Sequence, residues 1–314
     1  MPKKLISLSG LTHEEWLQWR RKGIGGSDAA TVVGLNSYSS LYELWADKQG
    51  FLPAKEDTEA MRTGRDLEQY VADRFCEATG KKVQKLPYMY CHNEYPFITA
   101  NVDRKVVGEN AGLECKTTSP YNKTDFDDGN VQLSYLCQCW HYMNVMGYDK
   151  MYLAVLVLGK GFYWYTVERD EEQQQALLNA EVDFWNKYIL DDCIPEPDGS
   201  ESSDYALKTI YGQEMQEKIV NLMHCDRLFE DYAKARDNCK TAEAEKERLA
   251  QQIKLHIGEA TTGIGSKFKA DWISQTRRLV DTKKLAAEYP QIYEQVLKIT
   301  QSRIFRFAER KDVQ

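Results

Sequence analysis

The stretch GLECKTTSP, residues 112–120, places a glutamate and a lysine two positions apart in a segment with strand character. Alternate side chains of a β-strand share one face, so Glu114 and Lys116 are expected to project to the same side. Upstream, TANVDRKV contains Asp103, and the turn letters GEN between the two segments predict a β-hairpin. Such a hairpin would gather two acids and an amine at one place on a sheet.

The segments around this hairpin alternate between helical and strand patterns. Upstream, the sequence predicts four helices followed by strands over KKVQKLPYMYC and PFITANVDRKVV. Downstream, it predicts a helix over residues 130–147, strands over 149–158 and 161–169, and a helix over 170–192. This order predicts an α/β or α+β domain in which helices flank a mixed sheet.

The segment CIPEPDGSESSD, residues 193–204, is rich in proline, glycine and serine and is the best candidate for a domain boundary. We therefore predict a first domain over residues 1–194, a linker over 195–204 and a C-terminal extension over 205–314. The extension combines a long helical run, a hairpin around KFKADWISQTRR, a further helix and a last strand over SRIFRFAE. Its basic and aromatic residues are compatible with DNA contact, with a solvated hairpin or with partner docking.

The 314-residue chain has the composition of a globular protein and a formal net charge of −7. This charge argues against coating nucleic acid by bulk positive charge, but it allows a site where metal ions and local basic residues supply a positive field. Eight scattered cysteines favour neither a zinc ribbon, nor a disulfide framework, nor an iron–sulfur cluster. The longest apolar run, residues 151–158, is too short to cross a bilayer and no signal peptide is evident, which predicts a cytoplasmic protein without membrane contact.

The acids and the lysine of the hairpin suit phosphodiester hydrolysis. Asp103 and Glu114 could hold Mg²⁺, which prefers carboxylate oxygens and makes hydroxide available near neutral pH. Lys116 could orient the attacking water or stabilise charge on the phosphate, and the backbone carbonyl of Cys115 could be a further metal ligand. The alternative is a surface ion pair of little energetic value.

Two helices could contribute further groups to this site. Glu68, in GRDLEQYV, precedes the sheet and could complete a metal site, although a helix residue facing solvent explains it equally well. In the helix after the hairpin, Tyr135, Gln138 and Tyr142 recur at helical spacing and could present one polar, aromatic stripe. The alternative for this stripe is an amphipathic helix with half-buried tyrosines.

The segment RRKGIGGSDAA is a candidate for anion binding. Glycines permit a close backbone approach, Ser27 stands at the start of a predicted helix, and Arg20 is near enough in sequence to add a positive charge. A glycine turn followed by an N-cap serine explains the same letters without any ligand.

Six segments in this order resemble the lambda exonuclease and YqaJ-type viral recombinase family, a branch of the PD-(D/E)xK nucleases. The matching segments are WLQWRRKGIGGSDAATVVG, GRDLEQYVADRF, TANVDRKV, GLECKTT, YLCQCW and YTVERDEEQ, within residues 12–192. Two departures stand out. Gly25 and Gly26 replace bulkier family residues, which implies a wider phosphate pocket. The proline or glycine beside the family's aspartate is absent, with Val102 before Asp103 and Arg104 after it, and this arginine could contact a phosphate or repel a second metal.

The resemblance implies a restriction-endonuclease-like mixed sheet flanked by helices, and it assigns roles to particular residues. One or two Mg²⁺ ions, or Mn²⁺, would be bound by acids, with the lysine assisting the water and a helix motif lying beside the site. The implied catalytic set is Glu68, Asp103, Glu114, Lys116 and Gln138, with metal ligands Glu68, Asp103, Glu114 and the Cys115 carbonyl. The implied set for the 5′ phosphate and DNA is Arg20, Ser27 and Tyr135.

The activity implied by the resemblance is Mg²⁺-dependent 5′ to 3′ digestion of linear duplex DNA, which leaves a 3′ overhang for a single-strand annealing protein. A phage or prophage origin within a bacterial host and a trimeric ring follow from the same resemblance, although residues 205–314 exceed the minimal core. Two alternatives stay open. One is an endonuclease or nickase with the same metal site, and the other is a non-catalytic module that binds DNA ends or a protein.

Overall fold

The computed structural model describes residues 2–121, 126, 130–213, 218–300 and 302–309. The chain forms two compact units, Met1–Gly212 and Gln213–Gln314. The strands of the first unit are β1 (Lys3–Ser7), β2 (Val83–Gln84), β3 (Tyr88–Cys91), β4 (Thr99–Ala100), β5 (Arg104–Val106), β6 (Ala111–Thr118), β7 (Lys150–Val157) and β8 (Gly161–Glu168). Its helices are α1 (His13–Arg21), α2 (Gly26–Val32), α3 (Leu41–Lys48), α4 (Glu59–Thr79), α5 (Leu133–Met146), α6 (Glu171–Phe184), which a π-helical segment (Trp185–Leu190) continues, and α7 (Glu201–Ile210).

The division between the units falls later than the predicted linker over 195–204. Helix α7 begins inside that predicted linker and belongs to the first unit. The hydroxyl of Ser202 donates to a carboxylate oxygen of Glu43 at 2.6 Å and accepts from the backbone N–H of Ser40 at 2.9 Å, which ties α7 to α3. The proline- and serine-rich letters therefore mark an irregular segment within the first unit.

A five-stranded mixed sheet forms the centre of the first unit, as the sequence predicts. Its strand order is β2-β5-β6-β7-β8, in which β6 and β7 are parallel and the other neighbours are antiparallel. The parallel pair requires a crossover, which α5 supplies because it lies between β6 and β7 in sequence. The crossover helix therefore brings its own side chains to the same sheet as the GLECKTT strand.

The predicted hairpin is present but shorter than its letters suggest. Arg104 pairs with Leu113 across β5 and β6, and the turn contains Gly108 with φ of 84°. The predicted strand PFITANVDRKVV is broken, because β4 belongs to a separate three-stranded sheet of order β1-β3-β4. The predicted strand KKVQKLPYMYC is broken for the same reason, with β2 in one sheet and β3 in the other. Asp103 therefore lies at the point where the chain changes sheets.

Helices cover both faces of the mixed sheet. On one face, Val71 and Phe75 of α4 pack in a buried cluster with Leu113 of β6. On the other face, Met143 of α5 packs in a second cluster with Leu153 of β7. Burial of these apolar side chains is the main force that holds α4 and α5 on the sheet.

The second unit contains one long helix and a short hairpin. Its elements are a 3₁₀ turn (Met223–Cys225), α8 (Asp226–Ile257), β9 (Thr262–Ile264), β10 (Lys269–Asp271), α9 (Thr282–Glu288) and α10 (Pro290–Val296). The predicted last strand over SRIFRFAE is wrong for the described residues 302–309, which form no strand. Instead, the ring of Phe307 packs 4.8 Å from that of Tyr232 on α8. In the described part of the chain, no helix is long and apolar enough to cross a membrane.

Candidate active site

Strand β6 places Glu114 and Lys116 side by side, as the spacing predicts. The ammonium of Lys116 lies 2.7 Å from Glu114 Oε1. Glu114 is only 3% exposed, because β6 is a central strand whose faces are covered by helices. A carboxylate at this depth is costly unless it is compensated, so the surface ion pair considered as an alternative does not describe it.

Asp103 meets this pair from the neighbouring segment. Its Oδ2 atom accepts a hydrogen bond from the backbone N–H of Cys115 at 2.8 Å. Burial, together with the negative charges of Glu114 and Glu68, raises the pKa of Asp103 well above its ordinary value. The two predicted acids of the hairpin are therefore close enough to repel each other in the folded chain.

Glu68 lies beside these acids but is engaged by Arg104. The Nη1 atom of Arg104 donates to Glu68 Oε1 at 2.5 Å and to the backbone carbonyl of Asp103 at 2.7 Å, while Nη2 donates to Gln69 at 3.0 Å. The side chain of Arg104 is only 4% exposed. Among the described residues, no three His, Cys, Asp or Glu side chains are grouped so that they could hold a metal ion. In this structure Glu68 is held by Arg104, and its role as a third acidic metal ligand stays a prediction.

Gln138 of α5 joins the acid and the lysine through one amide group. Its Oε1 accepts from Lys116 Nζ at 2.7 Å, and its Nε2 donates to Glu114 Oε1 at 2.7 Å. The same Nε2 also donates to the hydroxyl of Tyr142 at 3.0 Å. This orientation of the amide satisfies each partner, because the carboxylate can only accept and the ammonium can only donate.

Tyr142 is the member of the predicted polar stripe to which the sequence analysis assigned no role. It lies one helical turn after Gln138, so its spacing was the available signal. Burial, with the charges of Glu114 and Asp103, raises the pKa of Tyr142 well above its ordinary value, so its hydroxyl stays neutral. The tyrosine therefore acts on the site through its hydrogen bond to Gln138.

Tyr135 lies on the same helix and faces the lysine. The ammonium of Lys116 is 5.3 Å from the centre of the Tyr135 ring, a cation–π distance. Burial alone would lower the pKa of Lys116, but the charge and hydrogen bond of Glu114 and the charge of Asp103 raise it above its ordinary value. The raised pKa keeps the Lys116 ammonium charged at neutral pH.

The hairpin acids suit a hard divalent cation. Glu114 Oε2 is buried and has no hydrogen-bond partner among the described residues. Such an unpaired buried oxygen is costly, and the raised pKa of Asp103 indicates uncompensated negative charge next to it. A divalent cation bound by oxygen would relieve both. The backbone carbonyl of Cys115 stays a predicted ligand, while burial raises the pKa of the Cys115 thiol and so keeps its sulfur from being an anionic ligand.

The predicted pair Arg20 and Ser27 is brought together at a second site, formed by the end of α1 and the start of α2. Arg20 Nη2 donates to Ser27 Oγ at 2.6 Å and to Asp28 Oδ1 at 3.2 Å. The intervening turn is anchored to the three-stranded sheet, since the backbone N–H of Thr99 in β4 donates to the carbonyl of Ile24 at 2.8 Å. Asp28 is a member of this cluster that the sequence analysis did not select.

The glycine turn contacts the active-site helix directly. A side-chain carbon added at Gly26 would lie 2.6 Å from the ring of Tyr142, closer than real atoms approach. The expected wider phosphate pocket at Gly25 and Gly26 is therefore wrong at Gly26, because the tyrosine ring occupies the space that a larger residue would fill. The contact also links the Arg20 cluster to Gln138 through one side chain.

The acid–lysine hairpin, the crossover glutamine and the glycine turn all lie within one segment of the chain that matches a known family. Residues 15–149 match the family model described as YqaJ-like viral recombinase domain. The uncharacterized protein YqaJ of Bacillus subtilis (strain 168) is 39% identical over 309 residues, which cover 97% of each chain. This chain belongs to the YqaJ family, and the predicted resemblance is confirmed.

Two solved structures from other organisms are similar to part of this chain. An alkaline exonuclease from Laribacter hongkongensis superposes with a TM-score of 0.49 at 18% identity, covering 57% of this chain and 93% of its own. A phage related exonuclease from Haemophilus somnus 129PT has a TM-score of 0.43 at 13% identity, covering 55% of this chain and 96% of its own. Each of these structures therefore matches little more than half of this chain.

Proposed function

We propose that this protein is a metal-dependent deoxyribonuclease that digests linear double-stranded DNA from its 5′ ends and leaves 3′ overhangs. The observation that carries the proposal is the buried arrangement of Glu114, Lys116 and Gln138, with Asp103 adjacent. Two carboxylates short of positive charge next to a fixed ammonium suit the hydrolysis of a phosphodiester. Membership of a viral recombinase family supports DNA as the substrate.

Asp103 and Glu114 would hold Mg²⁺ or Mn²⁺, with the carbonyl of Cys115 as a proposed further ligand. When bound, the ion makes hydroxide available near neutral pH and neutralises charge on the phosphate. Glu68 would join as a ligand only after its bond to Arg104 is broken or shared. This arrangement favours one tightly held ion at Asp103 and Glu114.

Lys116 would stabilise the negative charge that develops on the scissile phosphate. Gln138 Oε1 and Glu114 Oε1 each accept a hydrogen bond from its ammonium group, which leaves a third N–H to donate to a phosphate oxygen or to water. Because its pKa is raised, this residue keeps its charge throughout the neutral range. Gln138 would keep the ammonium and the carboxylate at a constant separation before DNA arrives.

Arg20 and Ser27 would receive the terminal 5′ phosphate, which makes the enzyme dependent on a DNA end. A guanidinium and a hydroxyl already in hydrogen-bond contact are suited to bind phosphate oxygens, and Arg presents several donors in one plane. Tyr135 would contact DNA beside Lys116. A single-strand annealing protein as partner and assembly into a homo-oligomer, by the family resemblance a trimer, complete the proposal.

The proposal is tested by digestion of linear duplex DNA in Mg²⁺, with native protein compared with Glu114→Gln and Lys116→Gln. Native protein is expected to degrade the 5′-ended strand, and each variant to lose this activity. Glu109→Gln is a matched control, since Glu109 is also a lysine-bound acid close to β6 but pairs with Lys81 and Lys150. Unchanged digestion by both site variants would refute the proposed site.

Covalently closed circular DNA separates the exonuclease from the other candidates. An end-dependent enzyme leaves such a circle intact while it degrades the same molecule after linearisation. Cleavage of the circle would instead assign an endonuclease or nickase to the same residues. Tight binding of DNA ends without hydrolysis, in any divalent metal, would assign a non-catalytic module.

A further inference from the structure

Asp28 connects four parts of the first unit through one carboxylate. Its Oδ1 accepts from Arg20 Nη2 at 3.2 Å, and its Oδ2 accepts from Lys48 Nζ at 2.6 Å and from the backbone N–H of Gly25 at 3.0 Å. These donors come from α1, from α3 and from the glycine turn, while Asp28 itself is in the first turn of α2. The carboxylate is therefore the common acceptor of the Arg20 and Ser27 site.

The partner on α3 is buried more deeply than the arginine. The Lys48 side chain is only 1% exposed, and its Nζ also donates to the backbone carbonyl of Arg20 at 3.0 Å. Lys48 thus binds both the carboxylate of Asp28 and the backbone of Arg20, the residue whose guanidinium Asp28 contacts. The Arg20 side chain is 35% exposed, so it is partly accessible to a ligand, unlike that of Lys48.

We propose that Asp28, supported by Lys48, is a positioning residue that fixes the guanidinium of Arg20 for a terminal 5′ phosphate and so determines the preference for phosphorylated DNA ends. This inference rests on the proposed function of Arg20. One Nη2 atom is committed to Ser27 and Asp28, which leaves the other donors of the guanidinium to the ligand. An arginine already held in its binding orientation loses less conformational entropy when the phosphate arrives.

Charge arithmetic explains why the support of Lys48 is needed. Arg20 alone next to Asp28 would form a neutral pair with little attraction for an anion. Lys48 compensates the carboxylate, so the three side chains carry one net positive charge at the place where Ser27 presents its hydroxyl. Arg20 is oriented by Asp28 without being neutralised by it.

A neighbouring pair provides an internal control. Arg21 follows Arg20 on α1 and binds Asp47 of α3 at 3.1 Å, and it also donates to the carbonyl of Leu52 at 2.8 Å. This pair joins the same two helices, and the hydrogen bonds of Arg21 go to Asp47 and Leu52 rather than to Ser27. Loss of the Asp47 bridge therefore tests whether removing any carboxylate between α1 and α3 changes the preference for phosphorylated ends.

The test compares linear duplexes that differ only in a 5′-phosphate or a 5′-hydroxyl, digested by native protein and by Asp28→Asn, Lys48→Gln, Asp47→Asn and Arg20→Ala. For each, KM and kcat are measured on both ends in Mg²⁺. Asp28→Asn and Lys48→Gln are expected to reduce the kcat/KM ratio of phosphate over hydroxyl ends by about tenfold, mainly through KM, as Arg20→Ala does. Asp47→Asn is expected to keep the native ratio.

Two results overturn the inference. One is an unchanged kcat/KM ratio of phosphate over hydroxyl ends in Asp28→Asn and Lys48→Gln. The other is an equal loss of kcat/KM on the two kinds of end, which indicates a merely structural role. If Asp28→Asn does not fold, as judged by circular dichroism, Lys48→Gln decides the question because it keeps a hydrogen-bond donor; failure of both to fold also overturns the proposal. If Arg20→Ala itself keeps the preference, it is the proposed phosphate site that fails, independently of Asp28.

Discussion

Two aspartates of the first unit have opposite electrostatic surroundings. Asp28 is compensated by Lys48 and Arg20, and although burial opposes its ionisation, these cations hold its pKa well below the ordinary range. Asp103 lies near Glu114 and Glu68, and burial with these like charges raises its pKa well above the ordinary range. The chain thus completes one site with its own cations and leaves the other short of positive charge.

This difference indicates what each site binds. A cluster that holds its carboxylate with two cations retains a net positive charge and suits an anion such as phosphate. A cluster in which carboxylates repel each other suits a cation from outside the chain, and hard divalent ions prefer those ligands. The link between the sites is Tyr142, whose ring packs on Gly26 and whose hydroxyl accepts a hydrogen bond from Gln138.

The largest expected effect is on stability, at the compensated site. Asp28→Asn leaves Lys48 buried without its counter-ion, and removing one partner of a buried pair costs about 3–5 kcal/mol. The free energy of unfolding measured by urea denaturation should show this loss. Asp47→Asn, whose pair with Arg21 is about a third exposed on each side, should cost about 0–1 kcal/mol. Equal losses in the two variants would contradict the special status of Asp28.

The stability difference between native protein and Asp28→Asn should depend on pH. Because the pKa of Asp28 is lower in the folded chain than in the unfolded chain, its stabilisation is present above the unfolded pKa of about 3.9. The stability difference between native protein and Asp28→Asn should therefore be constant from neutral pH down to about pH 5 and shrink below about pH 4. A difference that grows on acidification would contradict this sign.

The next effect is on rate, at the uncompensated site. Lys116→Gln removes the fixed cation beside the scissile phosphate while it keeps a donor of similar length. Loss of one group that stabilises developing charge costs about 100-fold or more in kcat. Single-turnover digestion of linear duplex checks this value, and Lys105→Gln on the adjacent strand β5 is a control at a lysine that the proposed site does not include. A loss confined to KM would show that Lys116 only binds DNA.

A smaller effect is expected at the link between the sites. Tyr142→Phe keeps the ring that packs on Gly26 but removes the hydroxyl that accepts from Gln138. Gln138 retains its bonds to Glu114 and Lys116, so kcat should fall by about threefold to tenfold, in line with one hydrogen bond. Gly26→Ala forces the ring to move and should reduce activity more. If Tyr142→Phe lost more activity than Gly26→Ala, the contact between the ring and Gly26 would be unimportant.

The sequence could predict those features that depend on local spacing. Glu114 and Lys116 share a strand face because of their two-residue spacing, and Gln138 reaches them because α5 is the crossover between parallel strands. The break of a predicted strand before Asp103 was not predictable, because neighbouring apolar residues pair in two different sheets. The alternation of side chains alone carries no signal for such a change of sheet.

The remaining differences arise from contacts between residues distant in sequence. Lys48 reaches Asp28 only because α3 packs beside α2, and an isolated lysine near a helix end gives no such indication. Arg104 reaches Glu68 across the interface of α4 and the sheet and so binds a carboxylate that the sequence predicts as a metal ligand. Both partners are charged residues that sequence alone places at the surface, whereas the structure buries Lys48 and Arg104.

The measurement that tests the central claim most directly is thermal unfolding of native protein and Asp103→Asn, each with and without Mn²⁺. Because the raised pKa of Asp103 means that its ionisation opposes folding at neutral pH, metal-free Asp103→Asn should be more stable than native protein and should unfold at a higher temperature. Mn²⁺ should stabilise native protein and reverse this order, while it leaves Asp103→Asn unchanged. A metal-free variant that is less stable than native protein, or equal stabilisation of both by Mn²⁺, would contradict the assignment of these acids to a metal.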